Sequence, residues 1–235
     1  MRRLVATLRL DVRLQARSKL YGIGVFVAVA LGLMARFLVP AEHIGRGLAG
    51  FYILGIGSTT YMFGAAMLLL EKSERTLEAL RVSMITSRDY VLSKTITLTG
   101  FALVESAIVF AISGRGVSAS YLLLLAGVAV LGALSTLVGL GLASSYDAVT
   151  RFLLPTGAFV ASLMQLPVLA LIGVGPDWLW HLLPTCGPML LMVAAFEPIE
   201  PWQWAYAAST SVAALLLAWL FCRARFRTFI RFPEA

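Results

Sequence analysis

Residues 20–39 read LYGIGVFVAVALGLMARFLV, and Arg36 is the one charged side chain in this run. A helix needs about 20 mostly apolar residues to cross the roughly 30 Å hydrocarbon core of a bilayer, because it rises about 1.5 Å per residue. The run is therefore long enough to span a membrane. It is too long for the apolar core of a cleavable signal, which has about 7–15 residues, so we expect the segment to be retained.

Five further apolar runs of similar length follow along the chain. They cover residues 48–70, 90–113, 118–144, 152–174 and 204–222. Of the 235 residues, 60% are hydrophobic and only 13% are charged, whereas soluble proteins are about half apolar and about a quarter charged. The runs and the composition together predict an all-α integral membrane protein with six transmembrane helices.

The positions of the Lys and Arg residues favour six spans over seven. With six spans, all nineteen of them except Arg36, Arg46 and Arg115 fall on the side of the termini, as the enrichment of basic residues in cytoplasmic loops requires. A seventh span would place the Arg-rich end of the chain outside. We therefore expect both termini in the cytoplasm. The net charge of +7 then comes from basic residues along one membrane face, where they contact anionic lipid headgroups rather than nucleic acid.

The apolar segment 178–196 is the one that a seventh span would need, and it is interrupted by Pro184, Gly187 and Pro188. Proline cannot continue a regular helix, since it lacks the amide proton and clashes with the preceding turn. Two hypotheses remain open for this segment. It is either a re-entrant element whose backbone is satisfied by protein or water, or an interfacial loop anchored by tryptophans at positions 178, 180, 202 and 204.

Residues 1–19 have the pattern of an amphipathic helix that lies in the headgroup plane. At 100° per residue one stripe contains Arg2, Arg9, Arg13 and Arg17, and the opposite side contains Leu4, Val5, Leu8 and Val12. A general basic anchor before the first span is the alternative. The predicted organisation is this elbow helix at 1–19, a transmembrane domain at 20–222 and a basic cytoplasmic tail at 223–235.

The connection between the second and third runs carries the most informative motif. Residues 71–83 read EKSERTLEALRVS, with helical spacing of Leu77 and Leu80. Glu71 with Arg75, and Glu78 with Arg81, are spaced to pair across one turn. Downstream, residues 86–89 (TSRD) predict a capping box that starts the third span. A short helix held between two spans would act as a lever; the alternative is a solvated charged loop.

This connection resembles the cytoplasmic loop of ABC type-2 exporter permeases. The matching positions are Glu71, Glu74, Thr76, Leu77, Glu78, Leu80, Val82, Ser83, Tyr90 and Lys94. The sequence departs from the family at Arg75, where Gly is usual, and at Met84, where Pro is usual. The chain is most similar to the small subunits of bacterial drug exporters, including those for fluoroquinolone efflux. Haem-exporter-B-like permeases of cytochrome c maturation rank second.

The resemblance implies that residues 71–83 form a coupling helix that docks on a separate ATPase subunit. The residues expected to carry this contact are Glu71, Glu74, Thr76, Leu77, Glu78, Leu80, Arg81, Val82 and Ser83. It also implies two ATPase subunits, a second permease subunit that is identical or related, and a place in the bacterial cytoplasmic membrane. Residues Pro184, Gly187 and Pro188 would belong to an outer gate.

Motifs for catalysis and for cofactors do not occur in the sequence. None of its three lysines completes a P-loop, so ATP hydrolysis would have to come from another chain. We expect no catalytic residues, no cofactor and no metal site. His181, a single histidine beside tryptophans, and the two cysteines Cys186 and Cys222 are interpreted as packing or interfacial residues.

Two features lie within the predicted spans. Glu105 is the one acidic residue well inside a run, and such a carboxyl usually faces a bundle interior or a cavity. It is the candidate residue of a translocation path, or else a protonated acid bonded to a nearby hydroxyl. Small residues four apart at Ala129, Ala133, Ser135 and Gly139 indicate close helix packing, either within the chain or between two chains.

These observations favour the membrane subunit of an ABC exporter. The cargo expected for an apolar, aromatic path with one buried acid is a small lipophilic or amphipathic drug-like compound. A haem-exporter-B-like permease and a membrane scaffold without a transport path are the alternatives.

Overall fold

The computed structural model describes residues 2–77, 85–113 and 120–230, and all regular secondary structure in these ranges is helical. We number the helices in chain order. They are α1 (Arg2–Arg17), α2 (Leu20–Leu38), α3 (Ala41–Ser73), α4 (Ser87–Ser113), α5 (Tyr121–Ala143), α6 (Val149–Leu171), α7 (Asp177–Trp180), α8 (Cys186–Val193) and α9 (Pro201–Phe229).

Six of these helices are long and apolar enough to cross a membrane, namely α2, α3, α4, α5, α6 and α9. The prediction of six spans is therefore confirmed for the described part of the chain. The last span differs from its expected bounds, since α9 continues to Phe229 through most of the segment predicted as a tail. Arginine has a high helix propensity, and a cation is favourable near a helix C-terminus, so the basic residues extend this helix.

The apolar segment 178–196 is divided into two short helices, α7 and α8. Pro184 lies in the turn between them, and α8 begins at Cys186, so that Gly187 and Pro188 fall in its first turn. The missing amide proton of a proline is tolerated there, because the first amides of a helix have no partner within the helix. These residues therefore start a short helix as well as interrupt a longer one.

Helix α5 lies at the centre of the bundle and packs against α3, α4, α8 and α9. Its small residues allow this close approach. A Cβ atom at Gly139 would lie 2.4 Å from the carbonyl oxygen of Tyr61, and Ser135 is also buried within the chain. Ser135 and Gly139 thus pack within the subunit, which the sequence alone left open.

Both described ends of the chain lie at the same end of the bundle, which we call the terminal end. Lys72 near the end of α3 donates hydrogen bonds to the carbonyl oxygens of Ser144 and Tyr146 after α5. Tyr90 at the start of α4 contacts Phe226 near the end of α9, with ring centroids 5.8 Å apart. The opposite end holds the α2–α3 turn, α7 and α8.

Replacing Gly139 by alanine should destabilise the bundle, because the added methyl group would collide with backbone that cannot rotate away. Overpacking of this kind costs about 1–3 kcal/mol, so we expect a lower midpoint of thermal unfolding for the detergent-solubilised protein. Gly100→Ala in α4 is the matched control, since no atom lies within 4 Å of a Cβ at that position. Equal midpoints for the two variants would contradict the close α3–α5 contact.

Candidate functional site at the terminal end

The ammonium group of Lys94 is completely buried and is shared between two carboxylates. Its Nζ atom lies 3.0 Å from Oδ1 of Asp11 and 2.6 Å from Oε1 of Glu71, and its side chain is 0% exposed. Asp11 belongs to α1, Glu71 to the end of α3 and Lys94 to α4. One side chain thus joins the amino-terminal helix to the beginning of the candidate coupling segment, residues 71–83.

Neighbouring hydroxyl groups complete the bonding of both carboxylates. The Tyr90 hydroxyl donates to Oε2 of Glu71 at 2.5 Å, and the Ser93 hydroxyl donates to Oδ2 of Asp11. Tyr90, Ser93 and Lys94 lie within two turns of the start of α4. We call these five residues, Asp11, Glu71, Tyr90, Ser93 and Lys94, the charge cluster.

A second contact lies one turn further along the same helices. The side-chain amide of Gln15 donates to Oγ1 of Thr97 at 2.8 Å and accepts a hydrogen bond from the Tyr21 hydroxyl at 2.8 Å. Gln15 follows Asp11 by four residues, and Thr97 follows Ser93 by four, so both pairs are one helical turn apart. Helices α1 and α4 therefore dock through two consecutive turns of polar contacts.

The docking gives α1 a buried polar face that the sequence analysis did not predict. This face consists of Thr7, Asp11 and Gln15. The physical reason is that α4 offers hydroxyls and an ammonium group as partners, which an apolar face could not satisfy. The four-residue spacing of these polar side chains is the signal that the sequence analysis missed. Val5 and Val12 of the apolar side are exposed on the subunit, and their contact with the membrane stays a prediction.

The charged groups of the cluster are costly to bury, and each depends on its partners to offset that cost. Removing water from a charged group costs several kcal/mol, and this cost is offset only where a partner and further hydrogen bonds are in place. Here one ammonium faces two carboxylates, and the hydroxyls of Tyr90 and Ser93 help to spread the additional negative charge. Loss of Lys94 would leave two buried carboxylates without a cation.

The candidate coupling segment does not form one uninterrupted helix. Glu71 is in the last turn of α3, which ends at Ser73, and Arg75 has a φ angle of 57° in the left-handed region. The predicted pairing of Glu71 with Arg75 is therefore wrong: Glu71 binds Lys94, and Arg75 lies beyond the helix end. Glycine adopts such a conformation most readily, which agrees with Gly being usual at this position in the ABC permeases that the loop resembles.

Only part of the candidate coupling segment lies in the described residues. Glu74 is exposed in the turn, and the Thr76 hydroxyl donates to the carbonyl oxygen of Glu71 at 3.2 Å. Leu77 is buried in the core cluster that includes Tyr90 and Phe226. The other predicted coupling residues, Glu78, Leu80, Arg81, Val82 and Ser83, lie outside the described residues, as does Met84.

The start of α4 shows one of the two hydrogen bonds of the predicted capping box. The backbone amide of Asp89 donates to the Thr86 hydroxyl oxygen at 3.2 Å, and that hydroxyl lies 3.0 Å from the Asp89 carboxylate. This cap fixes where α4 begins, one turn before Tyr90 and Lys94. The start of the helix in turn determines on which turns of α4 Tyr90, Ser93 and Lys94 lie.

Two further basic residues hold the α5–α6 connection at the same end. Lys72 binds the carbonyl oxygens of Ser144 and Tyr146 at 2.6 and 2.7 Å, and Arg225 of α9 donates to the Ser145 hydroxyl at 2.5 Å. Cations are favourable beside the last carbonyls of a helix. The end of α3 is thereby joined to two parts of the bundle through Glu71 and Lys72, which are adjacent in sequence.

The remaining candidate residues lie away from the terminal end. Glu105 is buried inside α4, and the Thr59 hydroxyl donates to its Oε2 atom at 3.3 Å. His181 packs against the rings of Trp202 and Tyr206. Trp180 is buried and donates to the carbonyl oxygen of Val174, so it does not act as an exposed anchor.

The fold and this site define a polytopic all-α membrane protein whose terminal end is tied together by buried charges. The model of the fluoroquinolones export permease protein family matches residues 2–232, and the chain belongs to this family. It is accordingly a permease and not an enzyme. The predicted likeness to bacterial drug-export permeases is confirmed.

Two relatives show how much of the chain this likeness covers. They are the fluoroquinolones export permease proteins of Mycobacterium tuberculosis strains CDC 1551 / Oshkosh and ATCC 25618 / H37Rv. Each is 30% identical over 236 residues, which is 99% of this chain and 97% of the relative. The likeness therefore extends over α1, all six candidate spans and both short helices.

Lys94→Met should destabilise the protein strongly, because the variant keeps the volume of the side chain and removes its charge. Breaking a buried ion pair in this way costs about 3–5 kcal/mol, which a lower midpoint of thermal unfolding in detergent would report. Arg88→Met is the matched control, because Arg88 is exposed in the first turn of the same helix. Adding Asp11→Asn and Glu71→Gln should restore much of the lost stability; no recovery in this triple variant would contradict the electrostatic explanation.

Proposed function

We propose that this chain is the transmembrane subunit of an ABC exporter, and that separate subunits hydrolyse ATP for it. Family membership supports the export role. The sequence has no P-loop, which supports ATP hydrolysis by a separate chain. Six spans are few for a complete path, so two permease subunits would pair and carry two ATPase subunits. The second permease subunit would be identical or related.

The observation that carries the proposal is the charge cluster beneath the candidate coupling segment. A partner that binds residues 74–83 would push on Leu77, which is buried against the same core as Tyr90. The displacement would reach Glu71 at the end of α3 and, through Lys94, both α4 and α1. Packed and ion-paired elements move together, because such interfaces do not deform continuously.

The orientation that fits this role places the terminal end in the cytoplasm. Arg9, Arg13, Arg17, Arg223 and Arg227 all lie at that end, in accordance with the basic enrichment of cytoplasmic segments. The exposed apolar side chains Val5 and Val12 on α1 would then meet the lipid headgroup region.

At the opposite end, α8 would act as a re-entrant outer gate. The helix is packed between α5 and α9: a Cβ at Gly187 would lie 2.4 Å from the Thr210 hydroxyl, and one at Gly127 would lie 2.9 Å from the carbonyl oxygen of Pro188. Pro184 lies in the turn that precedes it. A short helix so closely packed against two spans would follow their movement directly.

The cargo we propose is a small lipophilic or amphipathic compound of the fluoroquinolone type. Both relatives are named as fluoroquinolone exporters, and they match this chain over nearly its whole length. Glu105 is the buried acid that we assign to the path. A scaffold without transport would leave the coupling segment and its buried ion pairs without a role.

Energy coupling is tested in inverted membrane vesicles that contain this chain and an ABC ATPase that co-purifies with it. Wild-type vesicles should accumulate a fluorescent fluoroquinolone when ATP is supplied, and the purified chain alone should hydrolyse no ATP. Glu78→Lys should abolish accumulation while the amount of protein in the membrane stays unchanged. Leu77→Asp should do the same, because it places a charge in the buried contact.

The matched control is Leu182→Asp, which adds the same charge at an exposed site in the turn between α7 and α8. It should leave accumulation within about twofold of wild type, since exposed substitutions usually have small effects. ATP-driven accumulation that persists in both coupling variants would refute the proposed coupling segment. ATP hydrolysis by the purified chain alone would refute the separate ATPase.

A further inference from the structure

Helix α2 packs against α4 through a face of small residues. Gly24, Ala28 and Gly32 recur every four residues on this face, and all three are buried. A Cβ atom at Gly32 would lie 2.8 Å from the Cβ atom of Ile112 on α4, so the two helices approach closely there. Small residues four apart allow such an approach between membrane helices.

The carboxyl group of Glu105 fills the notch that Gly24 leaves in this contact. A Cβ atom at Gly24 would lie 2.3 Å from Oε1 of Glu105 and 2.4 Å from the ring of Phe101. Glu105 is 1% exposed, and its Oε1 atom has no hydrogen-bond partner among the described residues. One oxygen of the acid thus lies against a glycine and an aromatic ring rather than against polar groups.

The other oxygen, Oε2, lies 3.3 Å from the hydroxyl oxygen of Thr59, and either of the two can carry the hydrogen. The Thr59 hydroxyl is also 3.1 Å from the carbonyl oxygen of Ile56, which accepts from the Thr60 hydroxyl as well. A hydroxyl group has a single hydrogen, so with an ionised Glu105 only one of the two Thr59 bonds forms. With a protonated Glu105 both form, because the acid donates to Thr59 and Thr59 donates to Ile56.

No cation balances Glu105 in the described part of the chain, since none of the ion pairs found there includes it. The nearest ion pairs on the same helix are those of Lys94, about three helical turns away. The groups that contact the acid from α2, α3 and α4 are Gly24, Thr59 and Phe101, and none of them is charged. An ionised carboxylate in such surroundings is so costly that the group binds a proton instead.

We propose that Glu105 is a proton-binding site, occupied while α2 packs against α4 and emptied when the two helices separate. In the closed contact the neutral acid donates to Thr59 and places no charge beside Phe101. Separation lets water reach Oε1, and the hydrated carboxyl then transfers its proton to that water and remains as a carboxylate. The inference goes beyond the export function, because it requires no cargo. As the proposed acid of the path, Glu105 would be open to a compound only in the separated state.

Proton binding of this kind makes the α2–α4 contact depend on pH. The closed contact holds one proton more than the separated state, so each rise of one pH unit increases the separated fraction by up to about tenfold. Glu105→Gln keeps the shape of the neutral acid and cannot ionise, which removes this dependence. A purely packing role for Glu105 predicts the same pH dependence in both proteins.

The bound proton is detected by infrared spectroscopy of the detergent-solubilised full chain near neutral pH. A protonated carboxylic acid has a carbonyl band that a carboxylate lacks, and isotope-labelled glutamate should shift this band in the wild-type protein. Glu105→Gln should remove the band. Glu42→Gln is the matched control and should leave it, because Glu42 is exposed in the first turn of α3. Thr59→Val should keep the band but change its position, since Thr59 accepts the hydrogen bond of the acid.

Separation of the helices is measured through Ala28→Cys. Ala28 is 1% exposed in the contact, so a thiol there should react with a maleimide only when α2 leaves α4. Labelling at this position is followed by mass spectrometry at several pH values, with and without Glu105→Gln. The ratio of the two rates cancels the ionisation of the thiol itself. The rate with Glu105 divided by the rate with the Gln variant should rise with pH, by up to about tenfold per unit.

The outcomes separate the proton site from the proposed export function. A glutamate band that is missing from the wild-type protein, or one that persists in Glu105→Gln, would overturn the site. A ratio of labelling rates that stays constant with pH would overturn the release of the proton on separation. Neither experiment involves ATP or a cargo, so ATP-driven accumulation in vesicles can succeed or fail independently of them.

Discussion

The ion pairs of Lys94 are the interaction on which the terminal end of the structure depends. A single ammonium group joins α1, the end of α3 and the start of α4, and Asp11 and Lys94 are 83 residues apart in the sequence. Because all three charged groups are buried, loss of Lys94 would leave both carboxylates without a cation, whereas loss of one carboxylate would leave Lys94 paired with the other. The cluster therefore fixes the position of α1 on the bundle and the point from which the candidate coupling segment departs.

Such a cluster is better suited to transmitting a displacement of the candidate coupling segment, as we propose, than to stabilising the fold alone. Hydrophobic side chains of similar volume would often stabilise a buried site as well as ion pairs do. Ion pairs, however, have narrow geometric requirements, so a displacement of Glu71 shifts the position of Lys94 and with it that of Asp11. Lys72 joins the end of α3 to the α5–α6 connection in a similar way, because it donates hydrogen bonds to two backbone carbonyls there.

The sequence predicted the spans well, because apolar length is a direct consequence of bilayer thickness. It also singled out Glu71 and Leu77, which are both buried, and the Thr86 cap that starts α4. It could not reveal that Lys94 is buried, since a lysine near a span end usually extends to the headgroups. The buried polar face of α1 was hidden for a related reason: Asp11 and Gln15 look solvated until α4 is seen to provide their partners.

Hydrogen–deuterium exchange of the Lys94→Met variant in detergent tests the central claim most directly. If Lys94 holds the terminal end together, amides of α1 and of residues 71–77 should both exchange much faster than in the wild-type protein, although they are about 60 residues apart. Amides of α8, at the opposite end, should keep their protection. Unchanged protection of α1 would contradict the account, because α1 would then be held by contacts other than the charge cluster.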